Sequence, residues 1–458
     1  YWNYVSSVVI HTITLVASAI LLKLLSPNDF GVLAILFLVL GLGSIFIGQG
    51  YLSAIIREKI IDNTILNTIF WINLGFGFAV VLLSYLLGDW LGEYFKIYSF
   101  KNYLSCFSFA YLLQAANVVP LAMLERKLDF KQHSIIHIYA TIVAAIIAIF
   151  LALYQYGVYS LIWRGLSAGF VVTILVWYKS EWKPSFVFRY SSLKGMHRFS
   201  RGVLGTQILR YGANQLDNLM VAKLLGTSDL GIYNRAKTFV LKPAREINAK
   251  TRSVAYSALS KLDDPEEYRT TLFKFTLLLA MVIVPLLLIV LISSDTLIYT
   301  YLSSEWYPMI SILKLLAISS IVISTSMPSQ IMLSKGASYT LFKSEMITNV
   351  IKVGVLLFAF RFADLLSIVI LFLLGQVLSN LLQNIVAYRS VEGYKLMIWK
   401  YHILPIIMAF IVYGLAVVID NYISYSLISM VCKLVVCLSI YGYYAWKTYP
   451  EILKRIRK

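Results

Sequence analysis

Apolar runs of membrane-spanning length recur along the whole chain. A bilayer core of about 30 Å takes about 20 mostly apolar residues per helix. Windows of that kind fall near residues 3–25, 31–55, 65–87, 101–124, 134–154 and 158–178. After a basic, polar segment at 179–198 they resume near 199–224, 268–292, 309–333, 338–360, 365–388, 401–419 and 425–446. One stretch between them, LGIYNRAKTFVLKPAREINAKTRSVAYSA at 230–258, carries Arg235, Lys237, Lys242, Arg245, Glu246, Lys250 and Arg252 and fails any hydropathy criterion.

A repeat overrides hydropathy there. KLLSPNDFG at 23–31 returns as KLLGTSDLG at 223–231, with Lys, Leu, Leu, Asp and Gly in the same places. If the first copy ends helix one and opens helix two, the second ends the seventh and opens an eighth across the basic stretch. Charge agrees: with fourteen helices and a cytoplasmic N-terminus, the outside loops hold Lys96, Lys101 and Arg361. The inside loops and the tail KTYPEILKRIRK take the other loop Lys and Arg, as the positive-inside bias requires. A second match, VPLAMLERK (119–127) against MPSQIMLSK (327–335), keeps Pro and Lys in place.

The expected architecture is an all-α polytopic membrane protein of about fourteen transmembrane helices. It comprises an N-lobe at 1–195 (helices 1–6), a C-lobe at 196–395 (helices 7–12), and a terminal pair with a basic cytoplasmic tail at 396–458. An even number of spans per lobe makes the lobes parallel, related by an axis along the membrane normal, an arrangement that encloses a central site in transporters. In the repeated phrase, Ser26 or Gly226 caps the next helix and Asp29 or Asp229 sits near its positive end. Gly31 or Gly231 permits close packing.

Composition agrees: of 458 residues, 59% are hydrophobic and 14% charged, and mean hydropathy is +0.77, a balance no soluble core of this size absorbs. Cys106, Cys432 and Cys437 lie in apolar runs and form no disulfide framework. The chain opens at Tyr1 without Met, so a short N-terminal piece is expected ahead of it. The first run reads as a full span and not as a cleaved signal peptide.

Polar residues inside the spans form stripes. Asn3, Ser7, His11, Thr14 and Ser18 share one face of the first helix, and Gln207, Arg210, Asn214, Asp217 and Asn218 one face of the seventh. In the eighth, Asn234, Arg235, Lys242, Arg245, Glu246 and Arg252 project within a sector of roughly 120°. The eleventh adds Glu345, Asn349 and Lys352, with Lys343 a turn towards the cytoplasm.

A charge at mid-membrane costs about 2.5–3.5 kcal/mol even on insertion scales. Basic residues in the spans far outnumber the acids Asp217, Glu246 and Glu345. The stripes therefore point to a wet, cationic cavity for an anion, bulky or amphiphilic, with Asn, Gln and Ser suited to a hydroxylated cargo. The bland alternative for Ser and Thr is interhelical hydrogen bonding. Lys23, Lys223, Lys274 and Arg252 lie near helix ends and read as snorkelling residues, Arg164 as a salt bridge or ligand contact, and His137 as a packing residue. Asp217, Glu246 and Glu345 are candidates for a coupling proton or sodium ion, or simply neutralise their basic neighbours. Asp263, Asp264, Glu266 and Glu267 beside Pro265 read as a solvated turn and helix start. No cofactor and no metal is called for. Pro120, Pro243, Pro285 and Pro328 lie within spans as static kinks or bends.

KLLSPNDFG, VVPLAMLERKLDFK (118–131) and RFSRGVLGTQILRYGANQLDNLMVAKLLGTSDLGIYNRAKTF (198–239) resemble the polysaccharide exporters of the multidrug/oligosaccharidyl-lipid/polysaccharide (MOP) superfamily, in particular Wzx-type O-antigen and teichuronic-acid flippases. The resemblance covers nearly the whole chain. It implies a MATE-like fold and a flippase that moves undecaprenyl-diphosphate-linked oligosaccharide from the cytoplasmic to the outer leaflet of a bacterial inner membrane by alternating access, for lipopolysaccharide-type surface polymers. Such a protein is a transporter and not an enzyme, and is expected to act as a monomer. The polymerase and ligase of the same pathway are candidate partners, along with membrane lipid; no nucleic acid is expected.

The residues best placed to hold the diphosphate are Arg210, Arg235, Lys242, Arg245, Lys343 and Lys352. Ser7, His11, Thr14, Gln207, Asn214, Asn218 and Asn349 would line the cavity. Two other readings stand beside this one. A drug/cation antiporter of the same superfamily would be expected to bury carboxylates, and the first helix has none. A membrane glycosyltransferase or polymerase would present its chemistry on sizeable loops, and the longest outside loop is SSDTLIYTYLSSEWYP at 293–308.

Overall fold

The computed structural model describes residues 2–48, 55, 62–127, 129–359, 361–362, 364–389, 397–423 and 427–448. The tail from residue 449 onward and the side chain of Asn3 lie outside the described residues. The helices are α1 (Trp2–Leu24), α2 (Pro27–Phe46), α3 (Asn63–Phe95), α4 (Phe100–Arg126), α5 (Phe130–Leu153), α6 (Val158–Lys179), α7 (Lys194–Leu224), α8 (Thr227–Leu259), α9 (Pro265–Tyr301), α10 (Met309–Ser324), α11 (Pro328–Ser334), α12 (Ser338–Ala359), α13 (Leu365–Tyr388), α14 (Met397–Tyr422) and α15 (Leu427–Thr448). Counting α10 and α11 as one interrupted pass gives fourteen among the described residues.

Among the described residues nine helices are long and apolar enough to cross a membrane by themselves, and α8 is not one of them. It forms nonetheless, as the repeat predicts. From Tyr233 onward its buried residues Tyr233, Ala236, Val240, Ala244, Asn248, Ala255 and Leu259 recur every three, four or seven positions, which is the stripe an amphipathic helix buries.

The chain divides into two compact units, Tyr1–Gly231 and Ile232–Lys458. In the first, α3 pairs with α4, α5 packs on α1 and α6, and α7 on α2. In the second, α12 pairs with α13, α9 with α10, and the terminal helices α14 and α15 dock on α9. The expected 195/196 boundary follows the repeat, whereas this division follows packing and leaves α7 with the helices before it.

Helix starts obey local chemistry. Ser26 caps α2 in a capping box: its Oγ accepts from Asp29 N at 3.3 Å while Asp29 Oδ2 accepts from Ser26 N at 3.0 Å. Asp264 Oδ2 accepts from Glu267 N at 2.7 Å ahead of Pro265, so the acidic quartet is a helix start. Pro120, Pro243 and Pro285 stay inside continuous helices.

Three features depart from the sequence expectation. Much of 293–308, expected as a loop, belongs to α9, which continues to Tyr301. The tenth span is broken: Pro328 disfavours helical geometry in the residue before it, and Met327 sits at φ −129°, ψ 50°. The basic 179–198 segment is partly a strap held on α3. There Asn67 Nδ2 donates to Ser185 Oγ at 2.7 Å, Asn67 Oδ1 accepts from Ser185 N at 2.8 Å, and Trp71 Nε1 donates to Ser185 O at 3.0 Å. Trp182 is buried against Ile69, Phe70 and Val119.

Candidate functional site

In the first unit the predicted polar positions lie on α1 and α7. Ser7 and Thr14 are half-buried and His11 is exposed. The neighbouring Ser6 helps dock α1 on α5, accepting from Ser134 Oγ at 3.0 Å. On α7, Gln207 is half-buried, while Arg210 and Asn214 are exposed. Further along the helix Asp217 and Asn218 are only 4% and 6% exposed, and Asn218 Nδ2 donates to Gln215 Oε1 at 2.6 Å. The α7 stripe is therefore accessible at Arg210 and packed by Asp217. Next to Arg210, Tyr211 places its hydroxyl 2.8 Å from Phe37 O and 2.9 Å from Leu38 O of α2. Gly41 leaves the room, since a Cβ there would come within 2.2 Å of that hydroxyl.

In the second unit the basic positions lie on α8 and α12. Lys242 and Arg245 are exposed and Arg235 and Glu246 half-buried, on the side of α8 opposite its buried stripe. Helical periodicity requires this: at about 100° per residue, 235, 242 and 245 fall well away from 233, 236, 240 and 244. Lys237 turns elsewhere, with Nζ 5.4 Å from the Tyr233 ring centroid and 5.9 Å from that of Phe372, within cation–π range. On α12, Glu345 and Asn349 are exposed and Lys352 half-buried. The other side of this helix meets α13, where Gln383 Nε2 donates to Thr348 Oγ1 at 3.1 Å. Lys343 lies with Nζ 4.5 Å from the Tyr339 ring.

The residues expected to snorkel divide. Lys223 reaches Tyr94, with Nζ 3.7 Å from its ring centroid and 3.1 Å from its carbonyl oxygen. Arg252 does not snorkel: its Nη2 donates to Ser326 O at 2.9 Å, satisfying a carbonyl that the break between α10 and α11 strips of its helical donor. Asn380 Nδ2 donates to Ser326 Oγ at 3.2 Å in the same place.

Sequence reasoning passed over two lysines. Lys314 pairs with Asp295 at 2.6 Å, and Lys433, 1% exposed, pairs with Asp420 and donates to Ile292 O at 3.3 Å. The available signal was a lone Lys inside the apolar run of α15, which requires a partner. Its partner stands on the neighbouring helix, one hairpin earlier.

Long helices packed in two units, nine of them among the described residues long and apolar enough to cross a membrane, define a multi-pass helical membrane protein. The chain superposes on a lipid II flippase, MurJ, in an inward closed conformation with a TM-score of 0.74, covering 98% of this chain and 99% of that one at 14% identity. It also superposes on an inward-facing multidrug resistance MATE family transporter of the MOP superfamily, with a TM-score of 0.63 over 84% of this chain and 95% of that one at 15% identity. By sequence the chain belongs to the polysaccharide biosynthesis protein family, which matches residues 20–311, more than half its length. The chain is also similar to the lipopolysaccharide biosynthesis protein WzxC of Escherichia coli (strain K12), 22% identical over 429 residues, 92% of this chain and 87% of that protein.

Proposed function

We propose that this protein is a flippase carrying undecaprenyl-diphosphate-linked oligosaccharide from the cytoplasmic to the outer leaflet of a bacterial inner membrane by alternating access. The supporting observation is the α8 face bearing Arg235, Lys242 and Arg245. These cations project away from the helix's own packing stripe, and a charged face against hydrocarbon would be far costlier than one lining water. A diphosphate is the complementary ligand, taken by Arg as a fork and by Lys as a point charge. The further cations of this reading are Arg210 on α7 in the first unit and Lys343 and Lys352 on α12 in the second. Ser7, His11, Thr14, Gln207, Asn214, Asn218 and Asn349 provide hydrogen bonds for sugar hydroxyls. Asp217, Glu246 and Glu345 are the carboxylates available to a coupling proton or sodium ion.

Both termini are cytoplasmic in this reading, the protein acts as a monomer without a cofactor, and the polymerase and ligase of the pathway receive its product. The family and the fold comparisons support a carrier of this kind. An antiporter of cationic drugs fits less well, because the accessible charges are predominantly basic.

Replacing Arg210, Lys242 or Arg245 by Glu is expected to abolish export, with lipid-linked glycan accumulating in the inner leaflet while the protein remains inserted at wild-type levels. Full complementation of a deletion strain by all three reversals would exclude the cationic-cavity reading.

A further inference from the structure

Between the later turns of α9, the second turn of α10 and the last turns of α14, the second unit holds a cleft of about 130 Å³. That is room for roughly ten waters, or for one small polar group. Its floor is apolar, with Ile292, Ala416 and Val417, and its walls carry Asp295, Lys314, Tyr413, Asp420 and Asn421. The charges are balanced: Lys314 holds Asp295 at 2.6 Å, and Asp420 pairs with Lys433 and accepts from Ser429 Oγ at 2.9 Å. A bare anion or a bare cation would upset one of these pairs without answering the other. A ligand with both charges satisfies the two together.

We propose that this cleft binds the phosphoethanolamine head group of a membrane lipid, its phosphate on Lys314 and its primary ammonium between Asp295, Asp420 and the Tyr413 hydroxyl. Asp420 and Asn421 in the last turn of α14 and Lys314 in the second turn of α10 put the charged wall of the cleft towards one end of these helices, within reach of lipid head groups. Three acceptors match the three N–H donors of a primary ammonium, whereas a quaternary choline has none and a glycerol head group lacks the cation. The leaflet follows from the proposed orientation: with cytoplasmic termini these helix ends face outward. Binding itself does not depend on the cargo being a lipid-linked glycan.

The test is native mass spectrometry of the purified full chain in detergent, offered equal amounts of phosphatidylethanolamine, phosphatidylcholine and phosphatidylglycerol. Phosphatidylethanolamine is expected to be retained over the other two, and retention is expected to fall about tenfold in Lys314→Gln, which removes a charge-assisted contact. Tyr413→Phe, which leaves both ion pairs in place, is expected to weaken retention to a smaller extent. Competition by soluble phosphoethanolamine at the concentration of the lipid would assign recognition to the head group alone. Failure of that competitor, with selective retention of the lipid, would assign it to head group and acyl chains together. Equal retention of the three lipids, or undiminished selectivity in both variants, overturns the proposal whether or not the protein proves to be a flippase.

Discussion

Gly31 and Thr227 meet backbone to backbone: a Cβ on Gly31 would stand 1.7 Å from the Thr227 carbonyl oxygen. The contact is reciprocal, because a Cβ on Gly231 would stand 1.9 Å from the Pro27 carbonyl oxygen. In the repeat register 31 corresponds to 231 and 27 to 227, so the two copies of the phrase touch each other as partners across a two-fold axis do. Thr227 Oγ1 and Asn28 Oδ1 close the same junction with a hydrogen bond.

Alanine at Gly31 or Gly231 must push these backbones apart, at about 1–3 kcal/mol by analogy with overpacking. In a background with the three native cysteines replaced, Asn28→Cys with Thr227→Cys is expected to be bridged by a short, reducible thiol crosslinker. The yield is expected to drop when Gly31→Ala is added. In the proposed alternating-access cycle, where contacts at one face must open, bridging is also expected to stop glycan export and reduction to restore it; gel mobility and export assays report the two effects.

The two phrases are not interchangeable at their cap. Ser26 has extended geometry, φ −76° and ψ 159°, whereas Gly226 is left-handed at φ +92°. Ser26→Gly is expected to cost a few tenths of a kcal/mol through the cap, and Gly226→Ser about 1–2 kcal/mol through backbone strain. Thermal unfolding in detergent orders the two variants; the opposite order would contradict the left-handed assignment.

Arg252→Met leaves the Ser326 carbonyl without its donor, a loss of about 1–3 kcal/mol for a buried unsatisfied group. Arg252→Lys retains the charge, but without the guanidinium fork it is expected to recover only part of the stability. A snorkelling arginine would show no difference between wild type and Arg252→Lys in the denaturation midpoint.

Breaking the Lys433 and Asp420 pair is expected to be asymmetric. Asp420→Asn strands a fully buried ammonium and is expected to cost about 3–5 kcal/mol. Lys433→Met leaves a carboxylate that is partly exposed and still bonded to Ser429, so it is expected to cost less. The double variant Lys433→Met with Asp420→Leu is expected to lie near wild type, and a double-mutant cycle on unfolding free energies measures the coupling.

What could be read along the chain is what local chemistry determines. Run lengths set the number of passes, because each helix must satisfy its own backbone within the bilayer. The repeated KLLxxxDxG phrase revealed α8, whose hydropathy conceals it, because a helix boundary is written in a few adjacent residues. The sides of α8 were likewise legible: periodicity alone separates Lys242 and Arg245 from Tyr233 and Val240.

Other features depended on partners far away in sequence. The break at Ser324–Met327 needs Pro328, which is visible, but it is tolerated because Arg252 satisfies the Ser326 carbonyl that it frees. Asp217 and Asn218 continue the Arg210 stripe in sequence, yet the fold buries them. Lys433 looks like an isolated cost until Asp420 and Ile292 O are brought to it. The amino-acid sequence by itself determined most of the helices and their polar faces, since these follow from composition and spacing within one segment. Tertiary structure alone decided which polar groups are spent on one another and which stay accessible, because pairing is a property of side chains that only packing makes neighbours.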